Sequence, residues 1–497
     1  MKKVIFGAAA LLFSGVMMAQ GPVSQSTLKA VDGSDTADTQ LAVDLATDDG
    51  NYGEAIQTGN TNKLQVLQAG TNQSSYSVQG DGLGTGDNRA RIWQTGDVTG
   101  ISGVDNAADV RQLGSGNEST TMQEGDSNEA VTRQGLKDGG LSGGNRALIN
   151  HGTAENGEFN YAMVEQDGQT NSAWTVQSFD NNEARTVQEG DSNMSGVRQK
   201  SGPDGSAGNS ALNEQYGDMN SSKIKQVGHN NYAQAAQKGD ANKADQKQTG
   251  DSNAAYVDQG QNLYGITDGL TGPTLDVFAD PLATQGAGGP DSQAGMAIQR
   301  QTGNSNFAYA SQYGSDGEAS NHAEQYQVGN SNQAAIDQNA NGIANGGANY
   351  ARQDQTGNSN VSFTGQNGRD HMAYSRQNGD FNIALASQKG NANLVSTFQE
   401  GEDNWAVSGQ RGHDNQVLIV QKNDGISGGH SFKASQNIDD PYTNGGNTIS
   451  VLQLGPSGNI MTDGENCDFQ DAVTPGMPAG VDGFDLAAPC TPGASGC

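Results

Sequence analysis

An eleven-residue phrase repeats from Asn51 to Gln453 and constrains the fold more than any other feature of the chain. Its pattern is Q-x-G-x-x-N-x-A-x-x-x, followed by the next Q. A fixed period over most of a chain indicates stacked units, each too small to bury a core alone. The clearest run has glutamines at Gln355, Gln366, Gln377, Gln388, Gln399, Gln410 and Gln421, glycines at Gly357, Gly379, Gly390, Gly401 and Gly412, and asparagines at Asn360, Asn382, Asn393, Asn404 and Asn415.

The segment from each Asn to the next Gln predicts a β-strand. In a strand, alternate residues share a face. For one such segment the predicted inward set is Asn382, Ala384, Ala386 and Gln388, and the predicted outward set is Ile383, Leu385 and Ser387. Across the repeats the middle inward positions are mostly small or β-branched, whereas the outward positions vary freely. We therefore expect a thin, tightly packed interior and a solvent-facing exterior.

The residues between each Gln and the next Asn predict a turn. Gly supplies a positive φ, and the accompanying Asp, Asn or Ser supports a reversal by local hydrogen bonds. Two phrases then make one strand–turn–strand rung of 22 residues, and about thirty phrases can be aligned. The sequence predicts an all-β protein, a two-sheet β-solenoid of about fifteen such rungs that stack through parallel strand pairing.

The insertions agree with this assignment. A solenoid tolerates extra residues at its turns and not in its strands. Every clear insertion falls between a Gln and the next Asn; examples are Gly135–Gly144, Lys200–Gly208, Gly260–Ala294 and Lys422–Gly429.

The inward amides are predicted to be structural, because a buried amide without partners is costly. Identical amides stacked rung upon rung can bond one another as Asn/Gln ladders. We predict that the ladder consists of Gln355, Gln377, Gln388, Gln399, Gln410, Asn360, Asn382, Asn393, Asn404 and Asn415, with Gly357, Gly379, Gly390, Gly401 and Gly412 as turn glycines.

The two ends of the chain differ from the repeats. Residues 1–19 combine Lys2 and Lys3 with a short apolar run, which is typical of a secretory signal peptide. Residues 20–50 form a polar leader, residues 51–454 the repeats and residues 455–497 a tail that contains all three cysteines. Disulfides are permitted outside the cytoplasm, but the pairing of Cys467, Cys490 and Cys497 does not follow from the sequence.

Charge and composition exclude several partners. The formal net charge of −30 disfavours nucleic acid and anionic membranes. Only 33% of the residues are hydrophobic, a composition typical of disorder, but a strict period argues for an ordered stack. No segment after the signal is apolar enough for an integral membrane span.

No catalytic, cofactor or metal site is expected. The six histidines lack metal-ligand spacing, and His151 and His371 occupy a Gln slot and an Asn slot of the phrase. A lone Asp in each turn more often supports the turn than binds calcium. Outward aromatic residues are interpreted as exposed strand residues or as a sticky face for fibres, surfaces or polysaccharides; they include Trp174, Tyr232, Phe307 and Trp405.

The phrase resembles the curlin repeat, almost literally at Gln237–Gln248 and from Gln388 to Asn393. The resemblance covers roughly Asn51 to Gln453. It implies an exported subunit of curli, the functional amyloid fibres of biofilm matrix and surface adhesion, in a bacterium with an outer membrane. The implied partners are the protein itself, other curlin-type subunits and an outer-membrane export machinery. This chain departs from the family in its larger number of rungs, its long insertions and its cysteine-containing tail.

Three classes of function follow from these observations. The first is a structural extracellular protein, a curli-like fibre subunit or nucleator. The second is a soluble solenoid, capped by its tail, that binds a surface or glycan without polymerising. The third is a β-helical enzyme such as a polysaccharide lyase, which is disfavoured because neither a bulky core nor an acid/base cluster is visible. We therefore expect a non-enzymatic protein.

Overall fold

The fold is that of a parallel β-solenoid. The computed structural model describes residues 51–80, 86–95, 105–135, 143–152, 157–202, 206–260, 294–313, 320–339, 347–423, 429–437 and 445–455. Every regular element in these ranges is a β-strand, and successive strands alternate between two parallel sheets of fifteen strands each. The predicted all-β, two-sheet β-solenoid is therefore confirmed.

The odd-numbered strands form the first sheet. They are β1 (Tyr52–Gln57), β3 (Ser74–Gln79), β5 (Ala107–Gln112), β7 (Glu129–Gln134), β9 (Tyr161–Asp167), β11 (Glu183–Glu189), β13 (Ser210–Tyr216), β15 (Tyr232–Lys238), β17 (Ala254–Gln259), β19 (Phe307–Tyr313), β21 (Gln333–Asn339), β23 (Val361–Arg369), β25 (Ile383–Asn391), β27 (Trp405–His413) and β29 (Ser431–Gln436).

The even-numbered strands form the second sheet. They are β2 (Lys63–Gln68), β4 (Arg89–Thr95), β6 (Glu118–Glu124), β8 (Arg146–His151), β10 (Ser172–Ser178), β12 (Met194–Lys200), β14 (Ser221–Val227), β16 (Lys243–Thr249), β18 (Met296–Thr302), β20 (His322–Val328), β22 (Tyr350–Thr356), β24 (Met372–Asn378), β26 (Leu394–Glu400), β28 (Gln416–Lys422) and β30 (Thr448–Leu454). Each of the four quoted insertions begins at the last residue of a strand or directly after it, and its other described residues lie outside the strands.

Register is set by the ladder glutamines. Strands pair with the equivalent strand one rung away so that glutamine meets glutamine, as in Gln366↔Gln388 and Gln388↔Gln410, except in β8, where His151 takes the place of the glutamine. Identical positions therefore form columns that run from rung to rung. A one-residue slip would turn every inward side chain outward, so the burial of one face fixes this register.

The interior is thin, as predicted. Two compact units make up the described part, one with residues 51–235 and 245–252, the other with residues 236–244 and 253–455. In the first unit a core cluster contains Ala130, Ala147, Ile149, Ala162, Val164 and Ala173. In the second unit a cluster contains Ala386, Val395, Ala406, Val417, Ile419 and Ala434. Small and β-branched side chains fill the narrow gap between the sheets.

The inward set of β25 is buried as predicted, but the prediction of a solvent-facing exterior is wrong in places. Leu385 is only 9% exposed because it lies in register between Phe363 and Val407, and an apolar column of this kind covers its own members. Tyr232 is 1% exposed, and its hydroxyl donates to Gln234 Oε1 over 3.1 Å. The other three aromatic residues quoted above, Trp174, Phe307 and Trp405, are half-buried.

Candidate functional site: amide ladders and stacked turns

The ladder glutamines lie in two separate rows, one for each sheet. In the second sheet Gln355 donates to Gln377 over 2.8 Å, Gln377 to Gln399 over 2.9 Å, and Gln399 to Gln421 over 2.9 Å. In the first sheet Gln388 donates to Gln410 over 3.1 Å. Each amide thus accepts from one neighbour and donates to the other.

The same amides also join the two sheets. Gln388 in β25 donates through Nε2 to the carbonyl oxygen of Met372 in β24 over 3.0 Å. Gln377 in β24 donates to the carbonyl of Val361 in β23 over 2.9 Å. Both amide hydrogens of such a glutamine therefore have acceptors inside the protein, which removes the cost of burying the group. A ladder glutamine therefore bonds to the equivalent strand of the next rung and to the preceding strand, which lies in the other sheet.

The asparagines at the strand starts fasten the turns. The main-chain N–H of Asn404 donates to Asn382 Oδ1 over 3.1 Å. Asn382 in turn donates through Nδ2 to Asn360 Oδ1 over 3.1 Å and to the carbonyl of Gly401 over 2.8 Å. Asn393 and Asn415 form the equivalent row at the opposite turn. This contact explains why asparagine and the turn glycine occur together in the phrase.

The turn glycines are required for two reasons, shown by Gly379 and Gly390. Both adopt left-handed φ angles, of 123° and 115°. In addition, a Cβ at Gly379 would lie 2.0 Å from the carbonyl oxygen of Gly401 in the next turn. Stacked turns approach closer than any side chain allows. Gly357, Gly401 and Gly412 also have positive φ angles.

His371 substitutes chemically for the asparagine whose slot it occupies. Its main-chain N–H donates to Asn349 Oδ1 over 3.0 Å, and the N–H of Asn393 donates to His371 Nδ1 over 3.2 Å. An accepting Nδ1 requires a neutral ring protonated at Nε2, which lies 3.3 Å from the carbonyl of Asn367. Burial lowers the pKa of His371 to about 4, so the ring is neutral at physiological pH.

His151 interrupts the glutamine row that it occupies. It lies in register between Gln123 and Gln177. Neither of its ring nitrogens has a hydrogen-bond partner, and Gln177 Oε1 is left without a donor. Burial lowers the pKa of His151 to about 3.

A third row of buried glutamines was not predicted. Gln299 donates to Gln325 over 2.8 Å, and Gln325 donates to Gln353 over 3.0 Å. They occupy middle inward positions where the pattern predicts small or β-branched residues. The signal was present as a second glutamine two residues before the ladder glutamine, as in Gln299 and Gln301. Here too, stacking makes a buried amide tolerable.

The aspartates of the turns bond to main-chain groups. Asp191 Oδ1 accepts from the N–H of Gln169 over 2.8 Å, and Asp218 Oδ1 accepts from the N–H of Asp191 over 2.8 Å. Within the described ranges no three His, Cys, Asp or Glu side chains are grouped to hold a metal ion. Nor does this part of the chain contain a helix long and apolar enough to cross a membrane. The turn aspartates thus connect one turn to the next in the stack.

Comparison with known families agrees with this geometry. The family model described as the curlin associated repeat matches residues 103–134, 228–260 and 390–422. No curated protein matches the chain significantly. The third matched segment contains β26, β27 and β28, and each of its ladder glutamines (Gln399, Gln410 and Gln421) bonds to another ladder glutamine.

Proposed function

We propose that this protein, whose chain carries curlin associated repeats, is an extracellular structural protein that assembles into curli-like amyloid fibres or nucleates them. Its role would lie in biofilm matrix and surface adhesion. The predicted signal peptide, the leader and the cysteine-containing tail, apart from Gly455, lie outside the described residues and belong to this proposal. Export through an outer-membrane machinery and pairing with other curlin-type subunits are also part of this proposal.

The outermost rung carries the proposal. Val66 and Ile92 occupy the same inward column of the second sheet, one rung apart. Ile92 is fully buried, whereas Val66 is 39% exposed because no described strand lies beyond β2. One more rung of the same phrase would bury this column, so the end of the solenoid is complementary to another copy of its own repeat.

The backbone of this rung is equally open. The N–H groups of Tyr52 and Thr58 donate to Gln73 and Gln79 of the next rung. Because N–H groups alternate sides along a strand, that of Ala55 points to the open edge. In β2 the N–H groups of Lys63 and Ala69 donate to the carbonyls of Asn88 and Gln94 of the next rung. The N–H group of Val66 therefore points to the open edge.

The test uses proline, which lacks an N–H group. The double variant Ala55→Pro and Val66→Pro removes two donors from the open edge without removing any donor bonded to β3 or β4. We expect the parent protein to elongate fibres in a thioflavin-T time course with electron microscopy. The double proline variant should elongate more slowly and take up fewer labelled subunits at the N-terminal end.

The matched control is Ala55→Gly with Val66→Ala, which changes the same positions but keeps both donors. It should elongate like the parent protein. The proposal is overturned if the parent stays monomeric at high concentration, with the tail removed and with curlin-type fibre seeds added. That result would leave the soluble, capped solenoid as the function.

A further inference from the structure

Three cations form a column on the outward face of the second sheet. Arg198 in β12 lies in register with Lys225 in β14. Gln226, which follows Lys225 in β14, donates to Gln248, which follows Lys247 in β16, over 2.9 Å. Lys247 is therefore in register with Lys225. Adjacent strands lie about 4.8 Å apart, so the three positive groups lie about one strand spacing apart. We call these residues the basic column.

The positive charge of the basic column is not neutralised within the described residues. Arg198, Lys225 and Lys247 make no ion pair there, although the chain has 56 acidic residues against 26 Lys and Arg. Like charges directly opposite one another destabilise a sheet. Burial, followed by the charges of Arg198, Lys247 and Lys223, lowers the pKa of Lys225.

Three other cations of the same sheet have acidic partners. Arg89 and Arg146 each lie 3.4 Å from Glu118 on the strand between them. Arg352 lies 3.0 Å from Asp354 and 3.7 Å from Glu324. Lys223, which lies beside the basic column, is in register with the carboxylate residue Asp245. We therefore do not include Lys223 in the basic column. The basic column is thus distinguished as three cations in successive register positions, none of which forms an ion pair within the described residues.

An aromatic ring lies next to the basic column. Trp174 of β10 is in register with Gly196 of β12, two residues before Arg198. A Cβ at Gly196 would lie 2.4 Å from Cζ2 of the indole. The half-buried indole therefore rests against the bare backbone of Gly196 instead of projecting into solvent, and it is flanked by the start of the basic column.

We propose that Trp174 and the basic column bind an acidic polysaccharide, a linear chain of uronic acid sugars. A pyranose ring has an apolar C–H face that packs on an indole. The following sugars would place their carboxylates along Arg198, Lys225 and Lys247. This binding is separate from end-to-end assembly, because it uses the outward sheet face and leaves the strand edges free.

The surroundings favour a polysaccharide over nucleic acid. Proteins that bind single strands interleave several aromatic residues with their cations, whereas this column has one indole at one end. A polyuronate and single-stranded DNA each carry one negative charge per residue, so the choice between them rests on the single indole, and single-stranded DNA serves as a comparison ligand in the test.

The test measures binding of oligogalacturonate to the full-length protein by calorimetry, with a neutral glucan and single-stranded DNA as comparison ligands. The triple variant Arg198→Gln, Lys225→Gln, Lys247→Gln should bind oligogalacturonate at least about tenfold more weakly. Its matched control, Lys63→Gln, Arg91→Gln, Arg376→Gln, removes the same charge elsewhere on the same sheet and should bind like the parent. Raising the salt from about 0.05 M to about 0.5 M should abolish most of the difference.

The indole is tested separately. Trp174→Ala should weaken binding about threefold or more and should leave the salt dependence unchanged. Gly196→Ala should weaken it through displacement of the ring, whereas the aromatic control Trp405→Ala should not. The proposal is overturned if the parent does not bind oligogalacturonate, if the two triple variants bind alike, or if DNA binds more tightly than the uronate. Fibre elongation, measured in parallel, should be the same for all of these variants.

Discussion

Two histidines at ladder positions show that the hydrogen bonds a side chain can make decide how well it replaces asparagine or glutamine there. His371 keeps the acceptor that the next rung needs, since its Nδ1 takes the N–H of Asn393. His151 offers no such replacement, and it leaves Gln177 Oε1 without a donor. A buried polar group without a partner costs about 1–3 kcal/mol. The two substitutions therefore differ in energy although both rings are buried.

We expect His151→Gln to raise the free energy of unfolding by roughly 1–3 kcal/mol, because it supplies the missing donor to Gln177 Oε1 and removes two unpartnered ring nitrogens. The measurement is chemical unfolding followed by circular dichroism. His371→Asn is the control, since it exchanges one acceptor for another and should change stability much less. Equal effects of the two variants would contradict the assigned hydrogen bonds.

Both histidines should also make the protein sensitive to acid. Burial lowers the folded-state pKa to about 4 for His371 and about 3 for His151, against an ordinary 6.5. Between these values the unfolded chain binds protons that the folded chain does not, so stability falls as pH decreases. Near pH 5 the loss should be roughly 2 kcal/mol per histidine. The double variant His151→Gln/His371→Asn should therefore lose less unfolding free energy than the parent between pH 7 and pH 5. Unfolding curves of both proteins at the two pH values measure this difference.

At the scale of the element, the sequence predicts the strands well and their outer surroundings less well. The alternation from Asn382 to Gln388 identifies the inward face of β25 directly. It says nothing of what flanks Leu385, because its neighbours Phe363 and Val407 lie one rung away. The spacing between equivalent residues is 22 only where no insertion intervenes; Gln259 donates to Gln312 across 53 residues. Columns on the outside thus depend on register that the local pattern does not contain.

The glutamine rows lead to a prediction about strand pairing. Gln388→Leu should lower the free energy of unfolding by about 1–3 kcal/mol, because Gln366 loses its acceptor and Gln410 its donor inside the protein. Gln416→Leu makes the same chemical change at an exposed side chain and should stay within about 0.5 kcal/mol of the parent. Similar melting shifts for the two variants would show that the ladder bonds do not matter.

The turns contain a second strained position that the phrase does not reveal. The residue just before each ladder asparagine is also left-handed, for example Phe381 with a φ of 58° and Ser359 with a φ of 55°. Asparagine and glycine accept this conformation more readily than a bulky residue does. Phe381 is 54% exposed, so little packing offsets its strain.

Phe381→Asn should therefore stabilise the protein by roughly 0.5–1 kcal/mol, in the range of known left-handed preferences. The measurement is the urea midpoint of unfolding. Phe363→Asn is the contrasting variant, because Phe363 lies in a strand and is 4% exposed. It should destabilise the protein. A loss of stability in both variants would mean that Phe381 makes contacts that outweigh its backbone strain.

At the scale of the whole molecule, each rung bonds only to its neighbours, and stability is then close to a sum over rungs and their interfaces. Any rung should be removable if the columns on either side still match. Within the second unit, Gln333 pairs with Val361 and Val361 pairs with Ile383. Residues 361–382 supply one complete rung, β23 and β24, between equivalent positions.

Deletion of residues 361–382 joins Asn360 to Ile383 and recreates the asparagine–strand junction that precedes β23. Strand β25 would then pair with β21, and β26 with β22, in unchanged register. We expect the shortened protein to keep its β-sheet circular dichroism spectrum, with a moderately lower free energy of unfolding. Insertion of one alanine between Ala384 and Leu385 is the contrasting change, because it turns the rest of β25 over and brings Gln388 outward. If the one-residue insertion were tolerated and the whole-rung deletion were not, the columns of identical residues would not be what holds the solenoid together.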